Sequence, residues 1–200
     1  MITLLKTGYW KILQLFYANK SFKLHFREIA RKTKLHEPSA TRFLQKIEEE
    51  GLLKSQKDGN LKKFFIKKNK RTYLIFALFD IERFERLPDL RKKAIHYYFD
   101  KLREKPVFVI LFGSTAKETY TKDSDIDILI VTNRHIETKE AEKETDALTS
   151  MRISTFQIEY GEFLRELKLR QDPLVQSALN SGYPLINHIF YYEVIHNERL

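Results

Sequence analysis

The sequence predicts an α+β, multidomain chain: an N-terminal helical module closed by a β-hairpin, then a C-terminal α/β layer built on a mixed sheet. Three observations predict it. Helical periodicity over residues 8–17, 25–33 and 38–50 gives way to Leu52–Lys57, Asp58-Gly59-Asn60 and Leu61–Lys67, and Asp-Gly between two strand-like runs signals a hairpin. From Asp89 onward, helical and strand-like patterns alternate, as in an α/β layer. The charge also divides. Residues 1–70 hold 17 Lys+Arg against 6 Asp+Glu, a net +11, whereas residues 71–200 hold 19 against 21, a net −2. We therefore expect domains at 1–70 and 89–200, joined by an apolar helix over 71–88.

In the first part, Gly8–Tyr17 reads as one helix and His25–Thr33 as a second, with Phe26, Ile29 and Ala30 on one face. Lys34-Leu35-His36 makes a turn. Pro38 suits the first turn of a third helix, where its missing N–H costs nothing, and Gly51 ends that helix. Ala40, Leu44 and Ile47 face inward; Ser39, Arg42, Gln45 and Lys46 face outward. Tyr9, Trp10, Phe16 and Tyr17 read as core or dimer contacts. A basic module on a near-neutral remainder is the footprint of nucleic-acid binding.

The run from Phe26-Arg-Glu-Ile-Ala-Arg through Ser39-Ala-Thr-Arg-Phe-Leu-Gln-Lys to Leu53 resembles the winged helix-turn-helix family over about residues 5–68. The resemblance implies that the third helix enters the major groove of double-stranded DNA. Arg42, Gln45 and Lys46 would then reach base edges. Ser39 and Thr41 would contact phosphate or base, and Lys57, Lys62 and Lys63 on the wing would contact phosphates. Glu48, Glu49 and Glu50 would point away from the duplex.

Thr72–Leu87 is strongly apolar for a connector and suggests packing between domains or a homodimer. Pro88 breaks the pattern. Asp89–Arg103 reads as a helix, and strands follow at 107–112, 126–132 and 153–159. Helices are expected from about Thr115, at about 137–149, from about Glu162 and at 173–181. Tyr183-Pro-Leu-Ile186 and Ile189-Phe-Tyr-Tyr192 read as edge structure and packing.

The chemistry concentrates at Gly113-Ser114 and Asp125-Ile126-Asp127. Residues i and i+2 of a strand share a face, so Asp125 and Asp127 repel each other unless a cation stands between them, and hard divalent cations take oxygen ligands. Gly113 lets backbone N–H groups approach a phosphate, and the Ser114 hydroxyl can donate to it.

Gly-Ser, ten residues and Asp-x-Asp resemble the signature of the minimal nucleotidyltransferases of the polymerase-beta superfamily. That resemblance covers about 90–186. Together with the N-terminal module it is similar to archaeal-type regulators. It implies Mg²⁺ on Asp125 and Asp127 as catalytic residues, a nucleoside triphosphate held by Gly113, Ser114 and Ser124, and nucleotidyl transfer to an unidentified acceptor. Minimal domains of this type also resemble partners of toxin-like nucleases, so a toxin-like protein partner is implied. The sequence departs from the family twice. Ser154 stands where the resemblance implies a third carboxylate, with Glu159 five residues on and turned to the other face. Glu118 stands where the family commonly has glycine. The alternative expectation is a transcriptional regulator whose C-terminal domain only binds nucleotide or is inactive.

No apolar run approaches the roughly 18 residues of a membrane helix, and there are no cysteines for disulfides or thiolate metal sites. A cytoplasmic protein is expected. The six histidines do not cluster with zinc-ligand spacing.

Overall fold

The computed structural model describes residues 8–18, 23–59 and 61–198. Asn60 of the expected turn and the segment before Gly8 lie outside them. The chain divides into two compact units, Met1–Phe79 and Asp80–Leu200. As a whole it is an α+β protein with a mixed sheet.

The first unit runs α1 (Gly8–Ala18), β1 (Leu24–His25), α2 (Phe26–Thr33), α3 (Glu37–Glu49), β2 (Leu53–Asp58) and β3 (Leu61–Ile66), then enters α4 (Lys70–Glu85). Its sheet is antiparallel in the order β1-β3-β2. The helices form because each offers an apolar stripe at helical spacing. Ile12 and Phe16 of α1, Ile29 of α2, and Ala40, Leu44 and Ile47 of α3 are buried together with Leu53, Phe64, Phe76 and Phe79. Phe26 is only half-buried. Helix α2 ends where Lys34 turns left-handed, φ 55°. After α3, Gly51 takes φ 72°, the backbone freedom that glycine supplies. Tyr17 packs on Phe76 and Phe79, and Trp10 lies against Phe79. Strand β1 was not expected; two residues are too few to show a period.

The second unit opens on the C-terminal part of α4. It continues with α5 (Asp89–Lys101), β4 (Phe108–Leu111), α6 (Gly113–Lys117), β5 (Ile126–Thr132), α7 (Lys139–Thr149) and β6 (Ile153–Glu159). Helices α8 (Tyr160–Leu169) and α9 (Pro173–Ser181), strand β7 (Tyr183–Ile186) and α10 (His188–Glu198) complete it. The sheet order is β6-β5-β4-β7. Strands β5 and β6 run parallel, joined through α7; β4 is antiparallel to both β5 and β7.

Alternation along β5 gives its two faces different duties. Ile126, Ile128 and Ile130 enter a core with Ala94, Ile95 and Tyr98 of α5 and Ala141 of α7. Asp127, Leu129 and Val131 face the other way. On that side Phe108 of β4 packs on Phe163 of α8 and Tyr191 of α10. The Asp80 carboxylate, fully buried, accepts the Tyr192 hydroxyl at 2.9 Å and lies 3.1 Å from His188 Nδ1, tying α10 down.

Two segments differ from the sequence reading. Ile189–Tyr192 lies in a helix rather than an edge, since Tyr191 and Tyr192 go into the core from one turn. The helix expected from Thr115 is the five-residue α6, which already begins at Gly113 and is stopped by Glu118 in the left-handed region, φ 58°. No helix among the described residues is long and apolar enough to cross a membrane.

Ile128 is fully buried at the centre of this sheet. Ile128→Ala is expected to cost about 3 kcal/mol, as a buried methyl loss that leaves a cavity. A shift of the urea midpoint with unchanged slope would show it.

Candidate functional site

The site is built at one end of the second unit's sheet, where β4 stops and β5 starts. The Phe112 N–H donates to the Asp127 carbonyl at 3.0 Å, so the chain leaves β4 directly beside Asp127. Gly113 then turns with φ 65°. A Cβ at that position would land on Asp127 Oδ2, far inside contact distance. Only glycine allows the bend and the carboxylate to share this space. Ser114 follows, half-buried. Its hydroxyl has no hydrogen-bond partner among the described residues.

Asp127 lies in β5 on the face away from the α5/α7 core, Asp125 stands just before the strand begins, and both are half-buried. Burial raises the pKa of Asp127, and the Asp125 charge raises it further. The second cause is the repulsion that the sequence spacing implied. A divalent cation would relieve it. Two neighbouring carboxylates fit Mg²⁺, which is commonly held by one or two carboxylates plus substrate phosphates.

The parallel register brings Asp127 opposite Ser154 of β6. Ser154 is thus the immediate neighbour of Asp127 on the next strand. Glu159 pairs with Thr132 at the far end of the same ladder. Two positions before Ser154, Arg152 lies across from Asp125, with Nε 3.9 Å from Asp125 Oδ1. Asp125 and Arg152 line a cavity of about 640 Å³ together with Lys122, Asp123 and, from α7, Lys143 and Asp146; Asp127 and the Gly113-Ser114 bend are not part of its lining. Ser124 is placed differently from Ser114. Its hydroxyl accepts the Thr121 N–H at 2.8 Å and lies 3.1 Å from the Thr121 hydroxyl.

The segment between Gly113-Ser114 and Asp125 is held by arginines that the sequence reading did not single out. Arg91, 3 % exposed, donates to Thr115 Oγ1 at 2.9 Å, to the Thr121 carbonyl at 3.0 Å and to the Ser124 carbonyl at 2.9 Å. Its guanidinium lies 4.2 Å from the centre of the Tyr120 ring. Thr115 Oγ1 in turn reaches the Asp125 carbonyl at 3.4 Å. Arg83 donates to the Ala116 carbonyl at 2.8 Å. Arg86 pairs with Glu118 at 3.4 Å, so the charge that departs from the family pattern is neutralised at the surface. The signal for Arg91 was present: Arg91, Ala94, Ile95 and Tyr98 share one stripe of α5, and all four are buried. A cation on an apolar stripe has to serve a buried acceptor.

In the first unit, Thr41, Arg42, Gln45 and Lys46 are exposed along α3, and Ser39 is half-buried. The Thr41 hydroxyl donates to the Glu37 carbonyl at 2.9 Å. Lys46 pairs with Glu49 and Glu50 at 3.5 and 3.4 Å. Lys57 and Lys62 face each other across the hairpin, and Gln56 faces Lys63. Lys62 reaches back to Glu48 at 3.0 Å, and the Ser55 hydroxyl donates to the same Glu48 carboxylate.

These placements define a class of site: paired carboxylates and a glycine-serine bend at one end of a mixed sheet, between its two central strands. The comparisons agree for this part of the chain. Residues 95–179 match the family described as Nucleotidyltransferase domain, a stretch under half of the chain that includes Gly113, Ser114, Asp125 and Asp127. Among curated proteins, none matches. The solved structure of a zinc-responsive MarR family member, Lactococcus lactis ZitR, is similar over 50% of this chain and 75% of its own, at 17% identity and a TM-score of 0.31. A likeness that distant carries no argument.

Asp127 gives a sign-definite prediction. Its folded pKa lies above the ordinary value, so the folded chain holds the proton more tightly than the unfolded one. Stability from this group is present in acid and is lost as pH rises through the raised pKa. Asp127→Asn is therefore expected to raise Tm at pH 7. The gain should vanish below the ordinary aspartate value of 3.8. Thermal melts of both proteins across pH 3–8 check it, and a Tm difference that does not vary with pH would contradict it.

Proposed function

We propose that the chain joins a winged helix-turn-helix that binds double-stranded DNA to a Mg²⁺-dependent nucleotidyltransferase domain. What supports the second half most is the convergence at the end of the sheet, where Asp127 lies against Gly113 with Asp125 two residues before it. In this reading Asp125 and Asp127 hold the cation. The Gly113-Ser114 bend would take the β and γ phosphates beside the carboxylates, with the free Ser114 hydroxyl donating to one of them. The bound Mg²⁺ would polarise the α phosphate and neutralise the departing pyrophosphate. An acceptor hydroxyl attacks the α phosphorus in line, the α–β bond breaks and pyrophosphate leaves. Ser124 acts through the loop it braces.

One observation favours a second reading. Ser154 beside Asp127 leaves no third carboxylate to take the acceptor's proton. The domain would then bind Mg²⁺–nucleotide without turnover, and the chain would act as a regulator. Nucleoside triphosphates labelled at the α phosphate separate the two readings. Under the first, label moves to protein or nucleic acid in the presence of Mg²⁺, and Asp125→Asn with Asp127→Asn abolishes the transfer. Saturable binding without transfer supports the regulator.

For the first unit, the +11 charge and the outward row of Arg42, Gln45 and Lys46 support DNA binding. The ion pairs on Lys46 and Lys62 are exposed and cheap to exchange for phosphate. Duplex affinity should fall linearly on a log–log salt plot. Lys57→Ala should reduce that slope by about one, and Arg42→Ala should cost about 1–3 kcal/mol on a preferred sequence. Fluorescence anisotropy at several salt concentrations measures both effects; binding unaffected by salt would exclude the electrostatic account.

A further inference from the structure

Helix α4 is apolar on two sides. On one, Tyr73, Phe76 and Phe79 are buried; on the other, Leu74, Leu78 and Ile81 are 52, 39 and 48% exposed. These three recur at i, i+4 and i+7 along one continuous helix, with Ala77 half-buried beside them. That spacing makes a single stripe. A helix that is apolar all round is one that is buried all round. Ile81 also borders an apolar groove of about 330 Å³ in the second unit, lined among others by Phe84, Phe99, Leu185 and Ile186. The apolar surface therefore widens at that end of the stripe.

The charges at the two ends of the stripe say what covers it. Lys70 and Arg71 stand in the first turn of α4, which carries no acid, and Glu82 and Glu85 stand at the other end. Cations at a helix N-terminus and anions at its C-terminus both oppose the helix dipole. Arg83, also in the last turn, is turned to the Ala116 carbonyl at 2.8 Å. Glu85 has Lys92 at 3.2 Å in a pair that leaves the carboxylate 62% exposed, and such a pair contributes little.

The midpoint between Leu74 and Ile81 falls between Ala77 and Leu78. A second α4 laid antiparallel about that point sets Leu74 opposite Ile81, Ala77 opposite Leu78 and Lys70 opposite Glu85. Each basic end then meets an acidic end, and each N-terminus lies beside a C-terminus. A parallel copy would set Lys70 against Lys70 and Glu85 against Glu85. We propose that a second copy of this chain covers the stripe, two α4 helices packing antiparallel about a two-fold axis through Leu74, Leu78 and Ile81. The interface is isologous: what one copy offers, the other receives.

Sedimentation equilibrium of the full chain, over about 1–100 µM, is expected to give twice the chain mass. Leu78→Glu brings two carboxylates together near the axis and should weaken self-association by about a hundredfold or more. Leu78→Ala, the milder change, should weaken it by about tenfold. Leu148→Glu on α7, where the leucine is 65% exposed, should leave the mass unchanged. Unchanged far-UV circular dichroism would show that the variants stay folded. Orientation has its own readout, since the chain has no cysteine. On mild oxidation, Leu74→Cys mixed with Ile81→Cys should give a crosslinked dimer of the two variants, in preference to either variant with itself. Lys70→Glu with Arg71→Glu should weaken the homodimer, and mixing with the chain carrying Glu82→Lys and Glu85→Lys should restore it. A monomer over the whole range, a dimer indifferent to both Leu78 variants, or crosslinks that favour like positions would overturn the proposal.

Discussion

The guanidinium of Arg91 is the contact on which the site depends. It is buried without a carboxylate partner among its hydrogen bonds; its acceptors are one hydroxyl and two carbonyls. Taking a cation out of water costs several kcal/mol, and burial accordingly pushes its pKa down. Three charge-assisted hydrogen bonds and the face of Tyr120 offset that cost. All of these partners belong to the stretch between Gly113-Ser114 and Asp125. A ten-residue connection without regular structure beyond α6 has many conformations open to it. With residues 115, 121 and 124 tied to one point on α5, both of its ends are placed. The Gly113-Ser114 bend and Asp125 are thereby held in fixed relation to the sheet.

The second constraint is the crowding between Gly113 and Asp127. The fold brings a backbone bend onto a carboxylate and a second carboxylate alongside it, and the raised Asp127 pKa records the cost. A hydrophobic or amide side chain at 127 would suit the fold better. Like charges held side by side at one spot are what a ligand of opposite charge would relieve. The rest of β5 shows the contrast. Ile126, Ile128 and Ile130 are apolar, fully buried and free of conflict.

Much of this was legible in the sequence. β5 and β6 fall at the expected residues: Ile128–Val131 is a continuous apolar run, and Ile153–Glu159 is rich in β-branched and aromatic residues, which favour a strand. Asp125 and Asp127 were placed on one face by strand parity alone. Glu118 read as an oddity, and the structure explains it locally: the position needs positive φ, which glycine supplies and a charged residue meets here while pairing with Arg86. Long-range partners were not legible. Nothing local links Arg91 to Ser124, 33 residues away, or Asp80 to Tyr192, 112 residues away. Those links depend on how helices fold back on the sheet, and only the misplaced polarity of Arg91 and Asp80 among apolar neighbours hints at them.

The parallel ladder between β5 and β6 decides what this site can and cannot contain. Its register sets Asp127 opposite Ser154 and Thr132 opposite Glu159. Five residues separate Ser154 from Glu159, roughly 16 Å at about 3.3 Å per residue. An odd offset also turns the side chain to the opposite face. No bulge interrupts the pairing, so Glu159 has no route to the carboxylate pair. The ladder begins at Ile126 and Ile153, and just before it Arg152 Nε lies 3.9 Å from Asp125 Oδ1. Strand parity thus keeps Glu159 out of the site. Whatever charge balance a nucleotide meets here is set by that ladder.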